Sequence, residues 1–213
     1  MSPENIDTLP RSLRLFPLAG ALLLPRGTLP LHIFEPRYLA MFRDAEADDR
    51  LIGMVQPLED AARPALFTIG CAGRIASETM TPDGRRFVTL AGICRFDIVD
   101  ELPLDDSGYR RANVRFDRFV DDLSEEDPNL DSPALFAALR AYFRARAFAA
   151  DWQALEKLPG AVVVNLVSMM CPFEPREKQA LLEARSLVDR ARVLTTLLDL
   201  DATSRGPAAS TLQ

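Results

Sequence analysis

The chain has 213 residues, of which 48% are hydrophobic and 26% are charged, and its formal net charge is −6. A chain of this length and composition can bury the core of one large or two small globular domains. The negative charge excludes a general electrostatic affinity for nucleic acid, because such binding requires a basic surface that displaces phosphate counterions.

The beginning of the chain, MSPENIDTLPRSLRLF, has no basic segment followed by an apolar run, so it does not resemble a secretion signal. No later run approaches the roughly 20 apolar residues that cross a bilayer. Cys71, Cys94 and Cys171 are widely spaced and form no C-x-x-C pair, which indicates buried, reduced thiols. We therefore expect a cytoplasmic protein without membrane association.

Short strands are predicted along the first half of the chain, where apolar runs are interrupted by prolines that favour edge strands. The predicted strands cover 13–18, 28–33, 51–56, 67–80, 85–102 and 111–120. A Pro-Asp-Gly turn at 82–84 joins two of them into a long hairpin. Residues 11–120 are therefore predicted to form a β-rich subdomain, a partly closed barrel or a sandwich.

The hydrophobic period changes to that of a helix after an acidic stretch at 121–132, which is predicted to be a solvated linker. Residues 133–201 are predicted to form a helical bundle. Its predicted helices start at Pro133 and cover 160–171, 174–184 and 186–200. The tail at 202–213 is predicted to be disordered.

The tetrapeptide Phe-Glu-Pro-Arg occurs at 34–37 and again at 173–176. Proline suits the first position of a helix, and a preceding glutamate faces the positive end of the helix dipole. Both copies are therefore predicted to be joints at which a helix begins. Metal binding or acid/base catalysis by His32 and Glu35 is the alternative, but no motif supplies the further ligands or a nucleophile.

Motifs for enzymatic chemistry are missing from the sequence. It contains no G-x-x-x-x-G-K-[ST] loop and no G-x-S-x-G elbow, and its single histidine is His32. The two lysines are Lys157 and Lys178, and Lys178 is predicted to form solvated ion pairs on a charged helix face. We predict no catalytic residue, no metal site and no cofactor.

Several motifs resemble the N-terminal, substrate-binding domain of Lon proteases. They are Phe16-Pro17-Leu18, Leu29-Pro30-Leu31, Ile33 to Tyr38, Ile52-Gly53, Gly70-Cys71, the Asp83-Gly84 turn and Gly92 to Phe96. The similarity covers about residues 11–201. It implies an α+β fold in which an N-terminal PUA-like β pseudo-barrel is followed by a C-terminal helical bundle. The chain resembles the stand-alone bacterial members, which lack the ATPase and Ser-Lys protease modules, so we expect no enzymatic activity.

The resemblance implies a non-catalytic module that binds unfolded or exposed polypeptide segments in protein quality control, with a separate protease or ATPase as a further partner. Such binding requires an exposed apolar groove, which we expect at the joint between barrel and bundle. The candidate residues are Phe34, Tyr38 and Phe42, with Arg37 and Arg43 at the rim. The alternative for Tyr38 and Phe42, one helical turn apart, is a place in the core.

Two other functions stay open at the level of sequence. One is a small-molecule or nucleic-acid binder, because PUA-like barrels as a class serve this purpose. Strand alternation, however, splits the basic cluster, with Arg111 and Arg115 on one face and Arg110 and Arg118 on the other. The other is a hydrolase without a recognised motif.

Overall fold

The structure, a computed structural model, describes residues 5–59, 61, 63–104, 106, 108–124, 130 and 132–204. The strands are β1 Ser12–Pro17, β2 Thr28–Ile33, β3 Leu51–Val55, β4 Ile69–Met80, β5 Arg86–Glu101 and β6 Arg110–Arg115. The α-helices are α1 Pro36–Glu46, α2 Ser132–Ala145, α3 Trp152–Leu155, α4 Gly160–Met170, α5 Pro175–Glu183 and α6 Leu187–Ser204. Two 3-10 helices cover Ile6–Thr8 and Asp117–Leu123.

The length of β5 lets the sheet close into a barrel. The strands lie in the order β2-β5-β4-β3-β1-β6, and β6 also pairs with β5. The first half of β5 pairs with β2, down to Ile33 opposite Arg86, and its last residues pair with β6, starting at Asp97 opposite Arg115. Strands β5, β4, β3, β1 and β6 therefore form a closed ring, and β2 extends the sheet at one edge.

A continuous hydrophobic core links the barrel to the helices. Inside the barrel, Leu15, Ile52 and Phe96 are fully buried, and in the bundle Leu139 and Leu194 are fully buried. Apolar burial of this kind is the main stabilising contribution to folding. The prediction of an α+β chain, with a β pseudo-barrel followed by a helical bundle, is confirmed.

The prediction of a strand at 111–120 is wrong in its second half. Strand β6 ends at Arg115, and Asp117–Leu123 forms a 3-10 helix. Phe116 and Phe119 are both buried, and Phe119 lies three positions after Phe116. That spacing places two side chains on one side of a 3-10 turn, whereas a strand would point them to opposite faces.

The same 3-10 helix corrects the prediction of a solvated linker that starts at residue 121. Asp122 lies in the helix, and its side chain is only 9% exposed because it forms an ion pair with Arg95 of β5. Residues 125–129 and 131 of the predicted linker lie outside the described residues. The first residues of the predicted disordered tail, 202–204, are helical, since α6 continues to Ser204. Residues 205–213 lie outside the described residues.

Both Phe-Glu-Pro-Arg copies begin a helix, as predicted. Glu35 is the N-cap of α1, and Glu174 is the N-cap of α5, each followed by a proline in the first turn. In the second copy the side chain of Glu177 accepts a hydrogen bond of 2.8 Å from the backbone N–H of Glu174. The Glu174 side chain in turn accepts from the backbone N–H of Glu177, and this capping box stabilises the start of α5.

The three cysteines are free and buried, which confirms the prediction from their spacing. Burial raises the pKa of Cys94 to about 12, so this thiol stays protonated and weakly reactive at neutral pH. Within the described residues, the helices are all too short or too polar to cross a membrane.

The prediction for Lys178 is wrong, because its side chain is buried rather than solvated. It is 8% exposed, and its Nζ donates a hydrogen bond of 2.7 Å to the carbonyl oxygen of Gly20. The cause is the packing of α5 on the barrel, where Gln56 also donates to the carbonyl of Pro175.

Burial lowers the pKa of Lys178 below its ordinary value of 10.5. The unfolded chain therefore binds more protons than the folded protein in the window just below pH 10.5, so this lysine makes the free energy of unfolding rise with pH there. We expect the stability of wild type relative to Lys178→Met to increase as the pH rises towards that value, as measured by urea unfolding. Lys157→Met, at an exposed lysine, is the control and should show no such increase.

Candidate functional site

Exposed aromatic side chains lie at the end of β2, where the first Phe-Glu-Pro-Arg copy starts. Phe34 is 59% exposed although it follows directly on the buried Ile33. Strand alternation explains this pattern, because Leu31 and Ile33 lie on the buried face of the sheet while His32 lies on its exposed face.

His32, Phe34 and Phe87 form a row of rings on the outer surface, called the aromatic strip below. In the β2–β5 register His32 lies opposite Phe87, and their rings stack with centroids 4.6 Å apart and an interplanar angle of 13°. The ring of Phe34 lies 5.7 Å from that of His32. Phe87 is 53% exposed. Solvated aromatic clusters of this kind are typical of interaction surfaces.

Two cavities lie beside the first turn of α1, with Arg37 and Tyr38 lining both. The first has a volume of about 270 Å³ and is lined by the end of β2, including His32 and Phe34. The second has a volume of about 310 Å³ and extends to Pro57. The aromatic strip therefore borders a concave surface.

Arg37 is held at the rim of these cavities by two contacts. Its Nε and Nη2 donate to Oε2 of Glu35 at 3.0 and 2.8 Å. Its guanidinium lies over the ring of Tyr38, 4.5 Å from the centroid. The side chain is 47% exposed, so its outer face stays available to an acidic or carbonyl group.

Tyr38 and Phe42 are buried, at 7% and 0% exposure. Both pack against Phe16, with centroids 4.4 and 6.0 Å apart. Burial raises the pKa of the Tyr38 phenol, which is therefore neutral at physiological pH. The structure thus places Phe42 in the core, where it supports the surface from below, and leaves one edge of Tyr38 at the cavity wall.

Arg43 does not join the other candidates. It lies six residues after Arg37 on α1, is exposed, and pairs with Asp44 at 3.0 Å. The candidate surface as a whole lies on the barrel, since α1 packs against β1 and β3. The joint with the bundle is formed elsewhere, by α5 against β4 and by Arg95.

The described residues give little support to metal binding or nucleic-acid binding, two alternatives considered from the sequence. Within them, His, Cys, Asp and Glu side chains form no group of three or more that could hold a metal ion. Two arginines of the basic cluster carry ion pairs, Arg110 with Glu101 and Arg118 with Asp97. These pairs reduce the positive charge that nucleic acid would require.

Comparison with known proteins identifies the family of this chain. The model of the ATP-dependent protease La (LON) substrate-binding domain matches residues 12–199. The chain belongs to this family. It is similar to Lon protease of Flavobacterium johnsoniae, with 27% identity over 88% of the chain, and to Lon protease 2 of Myxococcus xanthus, with 28% identity over 92%. The chain spans 24% of the length of each of these curated relatives.

Solved structures agree with the family assignment. A Lon N-terminal domain protein from Xanthomonas campestris has a TM-score of 0.61 and 26% identity, with 88% of this chain and 96% of that chain covered. The N-terminal domain of a Mycobacterium avium complex Lon protease has the same TM-score at 15% identity, covering 88% and 97%, and shows the likeness of fold.

In this member of the Lon substrate-binding domain family, Phe87 is the surface residue that the sequence analysis did not single out. A signal was present, because Val88 and Leu90 alternate with Phe87 and Thr89 along β5. Alternation predicts that Phe87 points away from the core. What the sequence did not provide was the register that brings Phe87 next to His32.

Proposed function

We propose that the chain binds extended polypeptide segments through the aromatic strip and the two cavities beside Arg37. The observation that carries the proposal is the contact between three outward rings, His32, Phe34 and Phe87, next to concave surface on a substrate-binding domain fold. Rings on a folded scaffold lose little conformational freedom on binding, so they are efficient contacts for apolar side chains.

The position of β2 indicates how a polypeptide would bind. This strand is at the end of the sheet order, but Pro30 in its middle has no N–H to offer to an added strand. Recognition would therefore depend on side chains that enter the cavities, with Arg37 as a donor at the rim. Such a site favours segments rich in aromatic and aliphatic residues, which folded proteins keep buried.

The biological role in this proposal is substrate recognition in protein quality control. The Lon relatives are named as proteases, and the matched part is their substrate-binding domain. In the proposal this domain itself is non-catalytic and delivers bound polypeptide to protease and ATPase functions located elsewhere. A cytoplasmic location is part of it, in keeping with three free thiols.

The test uses a fluorescent polypeptide kept unfolded by reduction and alkylation. We expect the double variant Phe34→Ala, Phe87→Ala to raise the Kd at least about tenfold by fluorescence anisotropy, since loss of two exposed anchor rings removes on the order of 1.4 kcal/mol or more. Both rings are more than half exposed, so the midpoint of thermal unfolding should change little.

Phe148→Ala is the matched control, because Phe148 is 47% exposed but lies after α2 in the bundle. It should leave the Kd unchanged. Equal binding by the double variant and the wild type would place the binding surface elsewhere. A cleavage activity that stays with the protein through purification would contradict the non-catalytic part of the proposal. It would be detected as fragments of the polypeptide by mass spectrometry.

A further inference from the structure

A further cavity, lined by charged residues, lies between the barrel and the bundle, away from the aromatic strip. Its volume is about 430 Å³, which is within the usual range for small-molecule sites. The charged residues that line it are Arg26, Arg95, Arg185, Arg190, Asp121 and Asp122. Counted over these described lining residues alone, four guanidinium groups stand against two carboxylates.

Arg190 of α6 is buried here without a full set of partners. The residue is 3% exposed. Its Nε donates to the carbonyl of Leu181 at 2.9 Å and its Nη1 donates to Oδ1 of Asn165 at 3.1 Å. Its buried Nη2 has no hydrogen-bond partner within the described part of the chain. An unpaired buried donor on a charged group is costly, and an anionic acceptor would remove the cost.

The carboxylate that could neutralise Arg190 is already occupied. Both oxygens of Asp122 accept hydrogen bonds from Arg95, at 2.8 Å each, and one also accepts from the Arg95 backbone N–H. Burial, and then the charge of Arg95, lower the pKa of Arg190 to about 10. Among the residues that the structure describes, the positive charge at this position is therefore not fully balanced.

Two helix N-termini reach the same cavity. Ala161, in the first turn of α4, and Leu187, the first residue of α6, both line it. Backbone N–H groups of a first helical turn lack partners within the helix, and the dipole makes this end positive. Ser186 caps the backbone N–H of Asp189, and Asp189 pairs with Arg192. The N–H groups of Leu187 and Val188 lie between Ser186 and Asp189, and this side-chain cap is made to Asp189 rather than to them.

From this convergence, we propose that the cavity binds a small molecule that carries a phosphate group. Guanidinium groups and helix N-termini are the two donors that proteins combine for this anion. The bound group would contact residues of β5, the 3-10 helix Asp117–Leu123, α4 and α6 at once, so it would strengthen the joint between barrel and bundle. This inference is independent of the proposed polypeptide site. It adds a small-molecule ligand to the polypeptide ligand proposed above.

The experiment titrates inorganic phosphate into the ¹⁵N-labelled protein at constant ionic strength, with sodium chloride as the balancing salt. We expect saturable shifts of the Arg190 Nε–H signal and of the amide signals of Ala161 and Leu187. The midpoint of thermal unfolding should rise over the same concentration range. Absence of saturable shifts, or an equal effect of chloride, would overturn the proposal. Succinate binding more tightly than phosphate would overturn the assignment of the anion.

Variants locate the binding. Arg185→Gln alters an exposed lining residue and should weaken phosphate binding about fivefold, the upper end of the effect of one exposed charge pair. Arg190→Lys keeps the charge but loses the second donor of the fork, and it should weaken binding more strongly. Arg140→Gln is the control, since Arg140 lies on α2 and pairs with Glu156. Equal phosphate affinity in Arg185→Gln and Arg140→Gln would contradict the site even if Arg190→Lys does not fold.

Discussion

An Arg95→Met variant should lose about 3–5 kcal/mol of folding free energy, the typical cost of leaving one member of a buried ion pair without its partner. Arg95 is 3% exposed, and its Nη2 lies 2.8 Å from Oδ1 of Asp122. The same guanidinium donates to the carbonyls of Leu182 and Ala184 at the end of α5. It also lies over the ring of Phe119, at 4.5 Å. The substitution therefore removes the charged partner of Asp122, which keeps only the hydrogen bond from the Arg95 backbone N–H, and it removes the guanidinium donor of two carbonyls.

Urea unfolding at neutral pH would measure the loss. Arg118→Met is the matched control, because Arg118 is 52% exposed, pairs with Asp97 at 3.3 Å, and also lies over the Phe119 ring. Exposed pairs contribute little, so its effect should stay within about 1 kcal/mol. A loss of less than about 1 kcal/mol in Arg95→Met would mean that Arg95 does not hold barrel and bundle together.

Gly92→Ala should destabilise the barrel by about 3 kcal/mol or more, at the upper end of the costs of overpacking. A Cβ at this position would lie 2.0 Å from the carbonyl oxygen of Leu24 and 2.8 Å from its carbonyl carbon. The backbone there has little freedom to withdraw, since the Arg26 N–H donates to Gly92 O and the Gly92 N–H donates to Gly27 O, both at 2.8 Å.

Gly160→Ala is the control for the loss of a glycine. Its added Cβ would meet the end of the flexible Leu130 side chain at 2.9 Å, which can move aside, and alanine favours the helix. We expect a change of less than about 1 kcal/mol by thermal unfolding followed by circular dichroism. Equal stability of Gly92→Ala and wild type would mean that the segment Leu24–Gly27 moves freely relative to β5.

Local sequence patterns predicted the type and position of most elements. Proline and glutamate at 35–36 and 174–175 predicted two helix starts, because the fixed φ of proline and the charge at the N-cap act within one turn. The prediction failed where a local pattern fits two structures. Phe116 to Val120 is compatible with a strand, and burial of Phe119 under the barrel decides for the 3-10 helix.

The candidate site was predictable only where a local sequence pattern determines the position of a side chain. Phe34 and Arg37 were identified from the motif that begins α1, and both are exposed beside the cavities. Phe42 and Tyr38 have the same helical spacing whether they face a groove or the core, and packing against Phe16 decides for the core. The partner ring Phe87 is 55 positions after His32, beyond the reach of any local pattern.

The sequence by itself determined the class of this protein. Its periodicities distinguish a β-rich first half from a helical second half, and its motifs mark the Lon substrate-binding domain family. Only the tertiary structure decided which side chains meet. It buries Lys178, pairs Arg95 with Asp122, and stacks His32 on Phe87. Helices and strand segments follow from interactions within a few residues, whereas these contacts join residues 27 to 158 positions apart and depend on how the barrel closes and the bundle packs against it.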